Sequence, residues 1–145
     1  MKVHEIHERA VPAEAAALVD DPARMWPADR WPALTADGFG FLRHELEEHW
    51  PGERIVYRIT GPRGLSGRHG WTVEGGVLRH TVDAECRGLM RVVWPLVVHP
   101  IHSAVHEDVL DRAEAVLGGS PTGHSWSRRV RFIRWGIRKA GLARG

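Results

Sequence analysis

The stretch Val77-Leu-Arg-His-Thr-Val-Asp-Ala-Glu-Cys86 has the clearest periodic pattern in the chain. Apolar residues and one histidine, His80, alternate with arginine, threonine, aspartate and glutamate. Successive side chains of a β-strand point to opposite faces of the sheet. The pattern therefore predicts a strand with one buried face and one face in solvent.

The same alternation precedes this stretch. It occupies three earlier segments, residues 43–50, 54–59 and 68–73. Trp50-Pro-Gly-Glu53, between the first two, has proline second and glycine third, as in a type II turn. Glu74-Gly-Gly76 favours a tight hairpin. Successive hairpins of this kind predict an antiparallel meander over residues 38–98 with one buried face.

The meander is expected to end in a last strand and to be followed by a long helix. Alternation continues at Met90, Val92, Trp94 and Leu96. From Pro100 onwards the apolar residues recur at helical spacing, at Ile101, Val105, Val109, Ala113 and Val116. Gly118-Gly119 is a suitable end for this helix.

Shorter elements are expected at both ends of the chain. Residues 2–10 tend towards period two, with His4, Ile6 and Ala10 on one side, which indicates a first strand. Pro12 and the alanines after it predict a short helix, followed by a broken helix or ordered loop over residues 23–36. Residues 126–139 predict an amphipathic helix whose apolar stripe is Trp126, Val130, Ile133 and Ile137.

Composition restricts the class of protein. A chain of 145 residues with 43% hydrophobic and 26% charged residues is typical of one globular domain. The single cysteine, Cys86, excludes an intramolecular disulfide and suits a reducing compartment. No apolar run approaches the roughly 20 residues of a membrane span, and the N-terminus lacks the apolar core of a signal peptide. We therefore expect a cytoplasmic protein.

The charge is distributed unevenly. All 18 acidic residues precede Trp126, whereas seven of the 20 basic residues lie in the last twenty positions, so residues 1–125 carry −5 and the tail +7. Three interpretations of this tail remain open. It can lie on an anionic membrane through residues 126–139, bind nucleic acid, or dock its apolar stripe on its own domain or on a partner. Nucleic acid is disfavoured because the body is acidic, and a homodimer is a further hypothesis.

Four stretches of the chain resemble a known superfamily. They are residues 12–24, Trp50-Pro-Gly-Glu-Arg54, Thr60-Gly-Pro-Arg-Gly-Leu65 and residues 94–113. They are similar to the START-like, Bet v 1-like (SRPBCC) superfamily, and within it to the bacterial polyketide cyclase/dehydrase and lipid-transport group. The resemblance covers residues 1–118.

The resemblance implies an α+β helix-grip fold. In this fold an antiparallel sheet wraps around a long C-terminal helix, two short helices follow the first strand, and a hollow is often kept between sheet and helix. It implies no metal and no cofactor. We expect a helix-grip domain over residues 1–119 and a basic amphipathic tail over residues 120–145.

A ligand pocket is predicted between the meander and the helix, although the same residues could simply form the core. The candidate ligand-binding residues are His44, Tyr57, His69, Trp71, His80, Val82, Met90, Trp94, Ile101, Val105 and Val109. Ile6, Leu46 and Val92 are expected on the same inner face. A mostly apolar concavity with a few polar groups is typical of small-molecule sites.

Histidines are the most informative polar residues of this pocket. Alternation places His44, His69 and His80 on the inner face, where a neutral imidazole can orient a ligand or act as general acid–base. His80 and Tyr57 are the candidate catalytic pair for a cyclisation or dehydration. His102 and His106, four residues apart, could chelate a metal, but no third ligand stands in a recognisable motif, so no metal site is predicted.

Three functions follow as hypotheses. The first is the binding or transport of a small hydrophobic ligand such as a lipid, polyketide or aromatic metabolite. The second is a polyketide cyclase or dehydratase that uses a pocket histidine and tyrosine. The third is a membrane-surface or partner-docking protein that acts through the basic tail.

Overall fold

The computed structural model describes residues 1–123 and 125–140 and shows one six-stranded antiparallel sheet. Its spatial order is β1-β6-β5-β4-β3-β2. The strands are β1 (Lys2–Ala10), β2 (Gly38–Phe39), β3 (Leu42–Trp50), β4 (Arg54–Gly61), β5 (Leu65–Glu74) and β6 (Val77–Cys86). The alternation that predicted β6 is confirmed, because Leu78, His80, Val82, Ala84 and Cys86 are buried.

Helices cover one face of this sheet. A 3₁₀ turn (Ala13–Ala15), α1 (Ala16–Asp20) and a second 3₁₀ turn (Pro22–Met25) follow β1. After β6, α2 (Met90–Val93), a π-helical turn (Trp94–Val98) and α3 (His99–Val116) form a continuous helix of 27 residues. This is the predicted helix-grip fold. A further helix, α4 (Arg128–Lys139), follows a linker. None of the helices in the described ranges combines the length and hydrophobicity needed to cross a membrane.

The prediction of a last strand at residues 90–98 was wrong, because the long helix already begins at Met90. Trp94 and Val98 are buried together with Met90, whereas Val92 and Leu96 are more than half exposed. Every fourth residue is thus buried. This spacing fits both the two-residue period of a β-strand and one turn of a helix. Pro95 has no backbone N–H to bond to the preceding turn, and the helix widens to π geometry there.

The prediction that Ile6 lies on the inner face of β1 was also wrong. Ile6 is 47% exposed, and Glu5, His7 and Arg9 point towards α3 instead. Arg9 can lie there because it pairs with three acidic side chains of α3, Glu107, Asp111 and Glu114, at 2.5 to 3.2 Å. Sequence alternation alone cannot show that a charged face has such partners.

Leu46 was placed on the buried face and is exposed instead. The pairing of β3 with β4 shifts register between Leu46 and Glu48, and again between Arg43 and His44. Both shifts lie outside the stretch from His44 to Leu46, where the register is regular, so Leu46 shares the face of His44 and Tyr57 but is exposed there. His44 nevertheless remains buried, as predicted.

Asp108 joins α3 to the loop before β2 and to the C-terminal region. This carboxylate is 3% exposed and accepts hydrogen bonds from the indoles of Trp31 (2.7 Å) and Trp126 (3.0 Å) and from the Arg30 guanidinium (2.9 Å). The ring of Trp126 meets that of Trp31 edge to face, and Val130 of α4 is buried in the same core cluster. The apolar stripe of the tail therefore lies on the chain's own body.

We expect Asp108→Ala to lower the free energy of unfolding by about 3 kcal/mol, because it leaves a cation and two indole N–H groups without their acceptor. Urea denaturation measures the change. Asp83→Ala is the matched control, since Asp83 makes only an exposed pair with His4 and should cost less than about 0.5 kcal/mol. Equal losses in the two variants would contradict a central role for Asp108.

Candidate functional site

A cavity of about 460 Å³ lies between the sheet, the loop before β2 and the helices. Its size falls within the roughly 300–1,000 Å³ typical of small-molecule sites. Most of its wall is apolar, formed by Trp31, Phe39, Phe41, Leu42, Ile59, Leu65, Val82, Trp94, Val98, Ile101, Val105 and Ile137. Its imidazole and charged side chains are those of three histidines, His69, His102 and His106, three arginines, Arg30, Arg134 and Arg138, and one aspartate, Asp29.

The predicted ligand-binding residues divide between two spaces. Five line the large cavity: His69, Val82, Trp94, Ile101 and Val105. His69 also borders a second space of about 20 Å³, together with His44, Tyr57, Trp71, His80 and Val109. Met90 is buried in the core near Leu65 and Trp94.

The two predicted catalytic residues, His80 and Tyr57, both border the small space. A space of 20 Å³ holds about one water molecule, so an organic ligand does not fit there without rearrangement. Among the described residues, the imidazoles that reach the large cavity are those of His69, His102 and His106.

Two groups of cavity residues were not predicted from the sequence. The first belongs to the loop before β2 and the start of β3, and the second to α4. These segments lie far apart in the chain and meet only in the folded protein. The tryptophans and phenylalanines of residues 26–41 were the available signal, because ordered loops with large aromatic side chains commonly pack on a core.

The arginines form a cationic end of the cavity. The Arg134 guanidinium lies 3.7 Å from the ring centre of Trp126 and 4.7 Å from that of Trp31, and it donates a hydrogen bond to the Arg30 carbonyl. Arg30 covers Trp126 at 4.0 Å. Burial lowers the pKa of Arg134, and Arg138 and Arg30 lower it further, but an arginine stays charged in proteins. Stacking on indoles thus holds the charge of Arg134 beside an apolar space, whereas the charge of Arg30 is paired with Asp108.

A row of aromatic rings crosses the concave face of the sheet. It contains one ring from each of four adjacent strands: His44 of β3, Tyr57 of β4, His69 of β5 and His80 of β6. His44 stacks on Tyr57 with ring centres 4.2 Å apart. His44 Nδ1 lies 2.8 Å from His69 Nε2, and His69 Nδ1 lies 3.3 Å from His80 Nε2.

Helix α3 places two more imidazoles against the end of this row. The ring of His106 stacks on that of His80 with centres 3.7 Å apart, and His102 lies 4.0 Å from His106. Both side chains are buried. They are buried because this face of α3 packs on β6 and β1.

The buried histidines are held neutral. Burial lowers the pKa of His69 to about 3, with a smaller contribution from neighbouring imidazoles. Burial and neighbouring imidazoles also place the pKa of His80 and of His106 well below the usual value. Burial lowers the pKa of His102 as well, although Glu5 opposes this shift. Neutral imidazoles keep one nitrogen lone pair each, so they can accept a hydrogen bond or bind a metal.

Glu5 of β1 is the carboxylate closest to this cluster. Burial raises its pKa, but His102, His7 and His99 together lower it below the ordinary value, so the group is ionised. Its Oε1 lies 2.5 Å from His99 Nδ1, and its Oε2 lies 2.9 Å from His102 Nδ1. The second contact has an unfavourable hydrogen-bond angle, which leaves both atoms unsatisfied within the described structure.

We expect stability to fall as the pH drops below about 6.5, the pKa of an unfolded histidine. His44 faces His69 and Tyr57, and burial there lowers its folded-state pKa. The negative charge of Asp37 opposes part of this shift. The unfolded chain therefore binds the proton first, and each such histidine contributes a loss of up to about 1.4 kcal/mol per pH unit.

Urea denaturation between about pH 7.5 and about pH 5.5, with a chelator present, measures this slope. His44→Phe should have a shallower slope than the wild type. An unchanged slope in His44→Phe would contradict the neutral state of His44.

Comparison with known proteins gives similarity of structure only. The sequence matches no protein-family model and no curated protein. Among solved structures, the chain is similar to CalU16 from Micromonospora echinospora, with 16% identity and a TM-score of 0.46 over 99% of this chain and 89% of that chain. A protein from Thermobifida fusca has 16% identity and a TM-score of 0.49 over 85% and 99% of the two chains.

The di-domain ARO/CYC protein StfQ from the steffimycin biosynthetic pathway has 17% identity and a TM-score of 0.46. The match covers 81% of this chain and 50% of StfQ. These similarities are distant. The helix-grip fold is identified from the strand order and the long helix of this chain. The residues of this chain are the basis for proposing its function.

Proposed function

We propose that this protein binds a small, largely apolar ligand that carries an acidic group. The cavity of about 460 Å³ is the observation that carries this proposal. Its walls are mainly aliphatic and aromatic, and burial of apolar ligand surface there is favourable by about 25 cal/mol per Å². A lipid, a polyketide or an aromatic metabolite has a suitable surface.

The arginines support an acidic group on the ligand. Arg134 and Arg138 form no ion pair with a carboxylate in residues 1–123 and 125–140, and both border the cavity. Arg134 is already oriented by two indole rings, so little side-chain entropy is lost when it binds an anion. A carboxylate or phosphate at this end would leave the apolar part of the ligand against Trp94, Val98 and Val105.

We expect Val105→Trp to weaken binding of anilinonaphthalene sulfonate, an aromatic sulfonate whose fluorescence rises in apolar sites, at least about tenfold. Val105 is buried and borders the cavity, so a larger side chain occupies the ligand's volume. Fluorescence titration gives the dissociation constant. Val116→Trp is the matched control, because Val116 is exposed on the same helix.

A second substitution keeps the test valid if Val105→Trp does not fold. Ile101 also borders the cavity but is only partly buried, so Ile101→Trp should fold and should weaken binding as well. Circular dichroism checks the fold of each variant. If both cavity variants bind the probe as tightly as Val116→Trp does, the probe lies elsewhere and the proposal is wrong.

A second candidate function is contact with an anionic membrane through α4. Phe132 and Trp135 are 69% and 57% exposed, and their rings stack with centres 5.9 Å apart. The neighbouring Arg128, Arg129 and Arg131 are exposed, and α4 contains no acidic residue. Aromatic side chains flanked by arginines are typical of helices that lie at a lipid interface.

We expect the double variant Phe132→Ser/Trp135→Ser to lose most binding to vesicles of phosphatidylglycerol and phosphatidylcholine in a sedimentation assay. Trp50→Ser removes an exposed aromatic residue outside α4 and should leave binding unchanged. Binding of the wild type should also weaken with added salt, because screening reduces attraction between the arginines and the lipid. Equal binding by the double variant and the control would exclude this candidate function.

A further inference from the structure

We infer that His80, His102 and His106 form a binding site for a divalent transition metal such as Zn²⁺. One ring nitrogen of each lies within 4.8 Å of the corresponding nitrogens of the other two. The side chains are 2%, 9% and 3% exposed. Three imidazoles on one ion are a ligand set that zinc uses in proteins, with each nitrogen about 2.0–2.1 Å from the metal.

The fold supplies these ligands from two elements that pack directly on each other. His102 and His106 are one turn apart on the buried face of α3, a spacing that directs both rings to the same side of the helix. His80 is the third ligand that the sequence pattern lacked, and β6 brings it under His106 with stacked rings. Ring rotations that move each nitrogen by about an ångström suffice to bring the nitrogens to the spacing around one ion.

The hydrogen bonds of the ring nitrogens leave lone pairs for a metal. His106 Nδ1 lies 2.8 Å from the His102 carbonyl and donates to it, so its Nε2 carries the lone pair. His102 Nδ1 lies 2.9 Å from Glu5 Oε2 without a favourable hydrogen-bond angle, and a rotation of the ring would align it with this carboxylate, which could then orient the imidazole. Second-shell partners of this kind are common around metal-binding histidines.

His80 gives independent support. Its Nδ1 is fully buried and has no hydrogen-bond partner in the described part of the chain, while its Nε2 faces His69 at 3.3 Å. A buried unpaired nitrogen destabilises the fold. A metal ion at Nδ1 would satisfy it, and Nε2–H could then donate to His69.

The site opens onto the large cavity. His102 and His106 both line that cavity, so an ion held by the three imidazoles would keep a fourth position facing it. Catalytic zinc sites have three protein ligands and such an open position, which takes water or a ligand oxygen. The inference does not rest on the proposed ligand binding, because the three imidazoles can hold an ion whether or not the cavity is filled.

A competing set of groups shares one ligand with this site. Glu5, His7 and His102 also offer atoms within 4.8 Å of one another. We favour the three histidines because their side chains are buried, whereas Glu5 and His7 are only partly buried. His80 and His7 distinguish the two sets, since each belongs to only one.

The test is titration of the chelator-treated full chain with Co²⁺ and with Zn²⁺. We expect one ion per chain and, for cobalt, the intense visible absorption of a tetrahedral site. His80→Phe and His106→Gln should each weaken binding at least roughly a hundredfold, because one of three protein ligands is lost. His4→Gln, at an exposed position, should bind as the wild type does.

The same variants can also contradict the inference of a metal site. His80→Phe keeps the volume and aromatic stacking of the core, and circular dichroism verifies its fold; His106→Gln tests the same site at an independent position. Wild-type affinity in either folded variant would overturn the inference. Loss of binding in His7→Gln with retention in His80→Phe would assign the metal to the competing set and overturn it as well.

Discussion

The structure depends on the packing of a histidine-bearing helix face against the concave side of the sheet. The contact between the stacked rings of His80 and His106 lies at the centre of this interface, with ring centres 3.7 Å apart. Imidazoles buried in this way have to be neutral, because charging one of them among its neighbours costs several kcal/mol. This requirement gives the concave face a polar, unprotonated patch at one side of an otherwise apolar space.

Another part of the cavity wall contains three arginines, Arg30, Arg134 and Arg138. Asp108 of α3 accepts hydrogen bonds from two indoles and a guanidinium, and this fixes the Trp31 loop and Trp126 over the cavity. Arg134 then stacks on the two indole rings. The helix α4, whose basic composition suggested a separate tail, thereby contributes Arg134, Ile137 and Arg138 to the cavity wall. The C-terminal segment and the helix-grip body form one site.

Sequence patterns predicted those features that depend on local periodicity. The alternation of residues 77–86 placed His80 and Val82 on the inner face, and the same rule placed His44 and His69 there. The rule failed where one spacing fits two structures, as at Met90, Trp94 and Val98, and it did not show that Leu46, on the same face as His44, is exposed. It also failed at Arg9, whose burial depends on three acidic residues that lie about one hundred positions later.

The candidate metal site shows why the remainder could not be predicted. The spacing of His102 and His106 suggested chelation, but a pair alone is a weak signal. The third imidazole, His80, is 22 positions earlier in the chain and comes close only when β6 and α3 pack. The cationic end of the cavity has the same origin, since Arg30 and Arg134 are 104 residues apart. Long-range packing brings together the histidine cluster and the arginines, whereas sequence periodicity predicts only the apolar residues of the cavity wall.

A crystal structure of the zinc-loaded chain is the most direct test of the central claim, that the helix–sheet interface holds a neutral imidazole cluster open to an apolar cavity. The account predicts one ion bonded to ring nitrogens of His80, His102 and His106 at about 2.0–2.1 Å, with a non-protein ligand pointing into the cavity. An ion bound elsewhere, or His80 and His106 packed apart with the cavity filled by side chains, would contradict it.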